Sequence, residues 1–481
     1  MGSDARDGIG RRAFLVGTAA GAGLLLARGF RGFDSAASVS RPYDQTLREL
    51  GRSLTARQRE LVVFAADDPT RQIVNTQTVL ERPHLGTLFT QPQRLLIERL
   101  YHSMLSAQGV DDFAETIAVE GRFDGCVFAI YGDPERPDAQ AVLQGGHIML
   151  RAGRSSNGAA FGGGISYGHQ TGNCLWRIPG NSFAYHGDAA NRLYKALRAD
   201  ERSKAMVSRP PHELVLQVQG SEGTFRGVRL GDLGDAGKNE AKRLVETVFA
   251  PHPAAARAEA LDCIKANGGL EALHFAVYAS HGFYEDMVDF GALAENERAR
   301  RGDPYWQVWR LEGPGTVIHF KGYPHVHAYI QVVRDPARAN IGSQIALADR
   351  TLEGAALGRL LDAALRRATG ETLAYFGPEV PGRFCAGEIT TGLAYALDPY
   401  RNHVSVATIA GGAMSTPLRK HLEDSGLQID LTRSYRVATT DYLGGQPESF
   451  GDPERVESQT TLMRDAIVAE LRANGVEAAR T

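Results

Sequence analysis

Fourteen histidines are spread along the chain, and two of them form the pair His325-Val326-His327 inside an extended run, PHVHAYIQVV. Residues i and i+2 of a strand face the same side, so His325, His327 and Tyr329 are expected on one face, with Val326, Ala328 and Ile330 on the other. Two imidazoles about 7 Å apart at their Cα atoms can converge on one metal ion. His319 on the preceding strand, or His147 in GGHIMLR, would complete the ligand set, and Glu312 in LEGPG would serve as carboxylate ligand or general base. The cofactor this implies is a divalent metal ion, activating water or polarising a substrate. Two other readings stay open: histidines acting directly as acid–base groups, and histidines that only satisfy hydrogen bonds within strands.

A second group is GGGISYGHQTGN at 162–173, followed by PGNSFAYHGDAANRLYKAL. His169 and His186 lie in or beside glycine-rich turns, where functional side chains are often displayed, and are further candidate catalytic residues. Gly164-Ile165-Ser166-Tyr167-Gly168 is formally a Gly-x-Ser-x-Gly pentapeptide. A nucleophile elbow needs a strand before the serine and a helix after it, and glycines and Gln170-Thr171-Gly172 stand there instead. FGGG lacks the Gly-Lys-Ser/Thr of a phosphate-binding loop. GDLGDAGKN at 231–239 lacks the spacing of a calcium loop and reads as a solvated connection into a helix.

Elements that would position these residues are legible as pattern. Helical periodicity runs over Gln91–Leu105, Asp188–Leu197 with Asp188 as its cap, Gly237–Phe249 and Ala254–Asn267. Extended segments are Cys126–Tyr131, Ala141–Arg151, Leu214–Gln219, Leu273–Ala279, Trp306–Arg310, Thr316–Phe320 and His325–Val333. Short strands bounded by Gly and Pro predict an α+β fold with a mixed, mainly antiparallel sheet and peripheral helices. From about Asn340 the texture changes. A helix over Leu352–Ala368 places Leu357, Leu360, Leu361, Ala364, Leu365 and Ala368 on one face, and a last helix over Gln459–Asn474 ends at Asn474-Gly475. A boundary near 340 would divide a larger domain, 38–340, from a smaller α/β domain, 341–481.

Composition narrows the classes. The chain has 481 residues, 43% hydrophobic and 23% charged, with 53 Lys and Arg against 56 Asp and Glu. A net charge of −3 lacks the basic footprint of a nucleic-acid binder, so a small-molecule substrate is the expected partner. The 54 glycines favour turn-rich β structure. Cys126, Cys174, Cys263 and Cys385 form no Cys-x-x-Cys pair, which argues against iron–sulfur clusters and four-cysteine zinc sites.

Three C-terminal blocks carry a resemblance: LEGAALGRLLDAALRRATG, AGEITTGLAYALDPYRNHVSVATIAGGAMSTPLRKHLE, and YRVATTDYLGGQPESF with LMRDAIVAELRANG. Over residues 340–476 the chain resembles the C-terminal domain of the 5′-nucleotidase family. The resemblance implies a nucleoside-holding module, with Phe450 at the position of a base-stacking ring. Phe376 and Pro381 stand where the family's loop asparagine and arginine fall; Arg383, two places on, is the substitute candidate for substrate binding. Phe450 and Tyr400 can equally be ordinary core or rim rings. No histidine has an aspartate two places before it and no Gly-Asn-His occurs, so the family's two-metal motifs are missing and ordinary 5′-nucleotidase activity is not expected.

Between 140 and 345, QGGHIMLR, LHFAVYASHG, YWQVWRLEGPGTVIHF and PHVHAYIQVVRDP resemble a bacterial and fungal family known as domain of unknown function 3500. Three extra residues separate the histidine pair from Arg334. This resemblance implies a shared fold and a shared histidine-bearing site.

At the amino terminus, GRRAFLV at 10–16 precedes a weakly apolar stretch and the small residues Ser35-Ala36-Ala37. Arg11 and Arg12 match a twin-arginine export signal over 1–37, with the twin-arginine translocase as partner. The apolar run is too short to span a membrane, which needs about 20 residues. With no lipobox cysteine, release without a stable membrane anchor, to a periplasmic or extracellular location, is expected. Together these observations point to an exported metal-dependent enzyme, leaning to a hydrolase. An oxidoreductase with His-held iron or copper is one alternative, and a non-catalytic exported binding protein is the other.

Overall fold

Alternation of polar and apolar side chains along three successive strands, broken at Val308, Thr316 and Val317, organises the molecule. The structure is a computed structural model that describes residues 42–119, 122–153, 158–169, 182–278, 306–322 and 326–480. Its strands in chain order are β1 (Val63–Phe64), β2 (Val127–Tyr131), β3 (Gln140–Gly145), β4 (Ile148–Gly153), β5 (Ile165–His169), β6 (Met206–Val207), β7 (Val228–Arg229), β8 (His274–Tyr278), β9 (Val308–Gly313), β10 (Thr316–Lys321) and β11 (Val326–Val332). These form one sheet in the order β1-β2-β3-β4-β5-β11-β10-β9-β8-β6, with β7 beside β8. Among the described residues of this sheet, only β1 with β2 and β6 with β8 pair in parallel. The sheet is mixed and mainly antiparallel, as the sequence predicts.

Opposed residues in a ladder share a face. On one face lie Leu143, Leu150, Tyr167, Ile330, Ile318 and Trp309, packed with the helices Gln91–Ser103, Ala184–Ala196 and Asp235–Phe249 into the largest apolar core. Each such side chain contributes about 1.5–3 kcal/mol when fully buried. The opposite face is polar. Glu312, Arg310, His319, Lys321, Gln331, Tyr329, His327, Ser166 and Arg151 all lie there, each less than 9% exposed. A buried polar face must be paired group by group, because each unmatched group costs about 1–3 kcal/mol.

Three segments cover it. Residues 73–80 are clamped by Gln144, whose Oε1 accepts from the Val79 and Leu80 amides, and by Arg151, which donates to the Ile73 carbonyl. Leu214–Gln219, expected as an extended segment, joins no ladder among the described residues. It follows Pro210-Pro211, and its groups bond outward: the Val215 carbonyl takes Arg310 and the Gln217 amide oxygen takes the Cys385 N–H. The third cover is the stretch around Arg383, which reaches Glu312.

Beyond residue 340 the strands are β12 (Gln344–Ala348), β13 (Leu373–Ala374), β14 (Gly387–Thr390), β15 (His403–Ala410), β16 (Ser434–Thr440) and β17 (Arg455–Leu462). A four-stranded sheet runs β13-β16-β15-β17. The helix Gly354–Thr369 buries Leu357, Leu360, Leu361, Ala364 and Leu365, as its pattern predicts. Two helix boundaries differ from expectation. Ala184–Ala196 starts four residues before Asp188, because its N-cap, the aromatic Phe183, anchors the first turn in the core. The last helix starts at Met463, the preceding residues extending into β17, and ends on Gly475 with φ 57°.

Candidate functional site

A carboxylate from the covering segment reaches the middle of the polar face. Glu213 is ion-paired with Lys321 Nζ at 2.8 Å and accepts from His327 Nδ1 at 3.0 Å and from the Tyr329 hydroxyl at 3.4 Å. Strand geometry explains the convergence. Lys321 lies opposite His327 in the β10–β11 ladder, and Tyr329 is two residues beyond His327 on the same side. On its other edge, His327 Nε2 lies 3.4 Å from Thr76 Oγ1, which is 3.2 Å from the Tyr329 hydroxyl. The His147 ring stands 5.1 Å from that of His327.

Electrostatics fix the protonation states. Burial would raise the Glu213 carboxyl, but His327 and Lys321 outweigh it and hold it well below the usual carboxylate range. Burial pushes His327 down to about 4, with Glu213 opposing. The imidazole is therefore neutral near pH 7; its Nδ1–H donates to Glu213, which leaves the Nε2 lone pair toward Thr76. Burial and the Glu213 charge raise the Tyr329 hydroxyl well above its ordinary value, so it stays protonated.

His147 adopts φ 53°, a left-handed conformation that costs a non-glycine residue about 1–3 kcal/mol. It holds there because its N–H donates to the Thr76 carbonyl at 2.6 Å and its own carbonyl accepts from Gly168. The strained hairpin thus fixes both its imidazole and the Thr76 backbone.

Of the residues singled out from sequence, His147, His319, His327, Glu312 and Arg383 come together in this layer. Glu312 is not placed as a free base. Arg310 binds it at 2.8 Å, Arg383 at 3.1 Å and Gln219 at 2.9 Å, and the two guanidinium charges lower its pKa against burial. His169 sits opposite Val326 and faces the apolar side. His186 is on that side too, among Tyr167, Tyr185 and Phe320, where burial drives it to about 3. Phe450 is fully buried in the core with Tyr375 and Leu443, so it offers no ring face to a base. His325 and the arginine pair at 11–12 lie outside the described residues.

Among the described residues no group of three His, Cys, Asp or Glu side chains is arranged to hold a metal ion. The partners account for this: Glu213 is bound to His327 and Lys321, and Glu312 to two arginines. Sequence reasoning missed Glu213, Thr76 and Lys321. Lys321 was legible as i+2 from His319, and His212-Glu213 after two prolines was a weak signal. Thr76 had none.

Residues 38–287 match the model of a family described as protein of unknown function, DUF3500. No curated protein matches the chain. Two solved structures are similar in part. A 5′-nucleotidase precursor from Thermus thermophilus shares 14% identity over 35% of this chain and 47% of its own, with a TM-score of 0.24. A Staphylococcus aureus protein described as a 5′-nucleotidase, in complex with alpha-ketoglutarate, shares 10% over 36% and 49%, with a TM-score of 0.23. The chain spans about half the length of each.

Proposed function

The chain belongs to the DUF3500 family, whose function is unknown, and we propose from its geometry that it is an exported hydrolase with Glu213–His327 as its acid–base pair. The observation that carries this is one imidazole bonded to a carboxylate at 3.0 Å on one edge and facing a hydroxyl at 3.4 Å on the other. That arrangement is how a weak oxygen nucleophile is activated. His327 Nε2 takes the proton of the Thr76 hydroxyl, or of a water bound beside it, as the oxygen attacks the substrate's ester centre. The same proton is then returned to the leaving oxygen; where Thr76 is the nucleophile, a water deprotonated by the same Nε2 then cleaves the Thr76 ester, and that proton returns to Thr76 Oγ1. Glu213 stabilises the imidazolium formed in between, Lys321 keeps Glu213 ionised, and the Tyr329 hydroxyl, turned from its long 3.4 Å bond to Glu213, donates to developing negative charge. The segment after residue 340 is proposed as a substrate or assembly module that no longer handles AMP.

Release of p-nitrophenol from p-nitrophenyl acetate and p-nitrophenyl phosphate tests the reading. H327A, E213Q and T76A should each lower the responsive activity by about 10²–10⁴-fold with circular dichroism unchanged. Activity unaffected by H327A would remove the proposal.

The 5.1 Å imidazole pair favours a second reading, in which His147 and His327 Nε2 hold a metal ion and Glu213 orients His327 from behind. Elemental analysis of the folded, exported protein decides between them. One metal per chain, lost in H147A and H327A, supports the second, and substoichiometric metal with full activity supports the first.

A further inference from the structure

Beside the acid–base pair, Arg310 and His319 are directly opposed on β9 and β10 of the buried polar face. Arg310 spends Nε on Glu312 and Nη2 on the Val215 carbonyl, while its Nη1 has no hydrogen-bond partner among the described residues. His319 Nδ1 has none either. These side chains are 1% and 2% exposed, so water does not make up the deficit from the surface. Two polar nitrogens unmatched among the described residues, on neighbouring strands about 4.8 Å apart in backbone spacing, face the same side, and Nδ1 is a donor in one neutral tautomer of His319. Native structures rarely leave such groups unmatched without a functional reason.

Charge count points the same way. Arg310 and Arg383 both bind the single carboxylate of Glu312, so two buried positive charges share one negative among the described residues. Burial and the Arg310 charge hold His319 neutral, so it adds a donor without adding charge. A buried excess charge costs several kcal/mol unless something neutralises it.

We propose that Arg310 and His319 form a binding site for a small oxyanion, the carboxylate or phosphate end of the substrate. Arg310 Nη1 supplies the charge and one hydrogen bond, and His319 Nδ1–H supplies a second. Ser166, on β5 opposite Tyr329, continues the same row, and its buried hydroxyl is likewise unmatched among the described residues. It lies two strands from His319 and suits an uncharged polar group of the same molecule. The row then places the reacting bond at Tyr329 and Thr76, between the two ends. As a site for substrate this rests on the hydrolytic reading; as an anion site it does not.

Isothermal titration calorimetry of the full chain, with sodium phosphate and with sodium acetate in matched chloride buffer, tests it. At least one anion should saturate a single site with a Kd at or below about 1 mM. Whichever binds identifies the group. R310K and H319F should weaken it tenfold or more, while S166A and H327A keep it, with unfolding midpoints followed in parallel. H319F guards against a fold defect in R310K, since its ring replaces the imidazole volume. No saturable heat with either anion, or binding unchanged in folded H319F, would overturn the site. Anion binding retained in H327A without hydrolysis supports both readings. Binding retained with hydrolysis intact keeps this site and removes the catalytic one.

Discussion

His327 is set apart from an ordinary strand histidine by what burial does to its charge. A free imidazole titrates near 6.5, whereas this one is held at about 4. A general base must be neutral, and a depressed pKa keeps it so at lower pH. kcat/KM should therefore stay level between pH 8 and pH 6, where a histidine of ordinary pKa would have lost about three quarters of its activity. A limb centred near pH 6.5 in a stopped pH–rate series would count against His327 as the base. Residues of this kind were only partly legible. His319, Lys321, His327 and Tyr329 follow from alternation, because a strand fixes side-chain direction by residue number alone. Glu213 and Thr76 come from segments without periodicity. Their approach is set by clamps such as Gln144 on the Val79 and Leu80 amides, which join residues 64 or more apart in sequence.

Strands carry the polar face, and one glycine decides how closely two of them meet. Gly168 on β5 pairs with His327 on β11, and a Cβ there would collide with the Val326 carbonyl oxygen and stand 3.2 Å from His147 Cδ2. Gly168→Ala should push β5 from β11 and displace the His147 ring, costing about 1–3 kcal/mol or more. Urea unfolding measures this, and a cost under about 0.5 kcal/mol, the range of neutral surface changes, would contradict the close approach. The formal Gly-x-Ser-x-Gly pentapeptide is reinterpreted at this scale. Its serine is mid-strand, and its last glycine serves strand packing. Elements with strong pattern, such as Gly354–Thr369, were legible throughout. Leu214–Gln219 was not, since apolar alternation predicts an extended chain without revealing whether a partner strand exists to pair with it.

Taken whole, the molecule buries ionisable groups on both sides of its main sheet, and that shapes its response to acid. His186 is lowered to about 3, His252 and His327 to about 4, and His319 well below its ordinary value. Each folded-state pKa lies below the unfolded value near 6.5, so in the window between them the unfolded chain binds the extra protons. Stability is full above about pH 6.5 and falls as pH drops, by up to about 1.4 kcal/mol per pH unit for each histidine. Urea midpoints should decline steeply from pH 6.5 to pH 5, and H186F should flatten that decline. A flat profile would mean these rings are solvated. The same burial makes the contact between the two cores decisive. Arg383, from beyond residue 340, and Glu312 on the sheet are each 7% exposed and meet at 3.1 Å. Removing one partner of a buried pair strands the other charge, at a cost of about 3–5 kcal/mol. Arg310 still contacts Glu312, so the loss in R383A should fall at the lower end, near 3 kcal/mol. R383A with unchanged stability would show that Arg310, at 2.8 Å, is a sufficient partner for the buried Glu312 charge, and would contradict a structural role for the Arg383 contact.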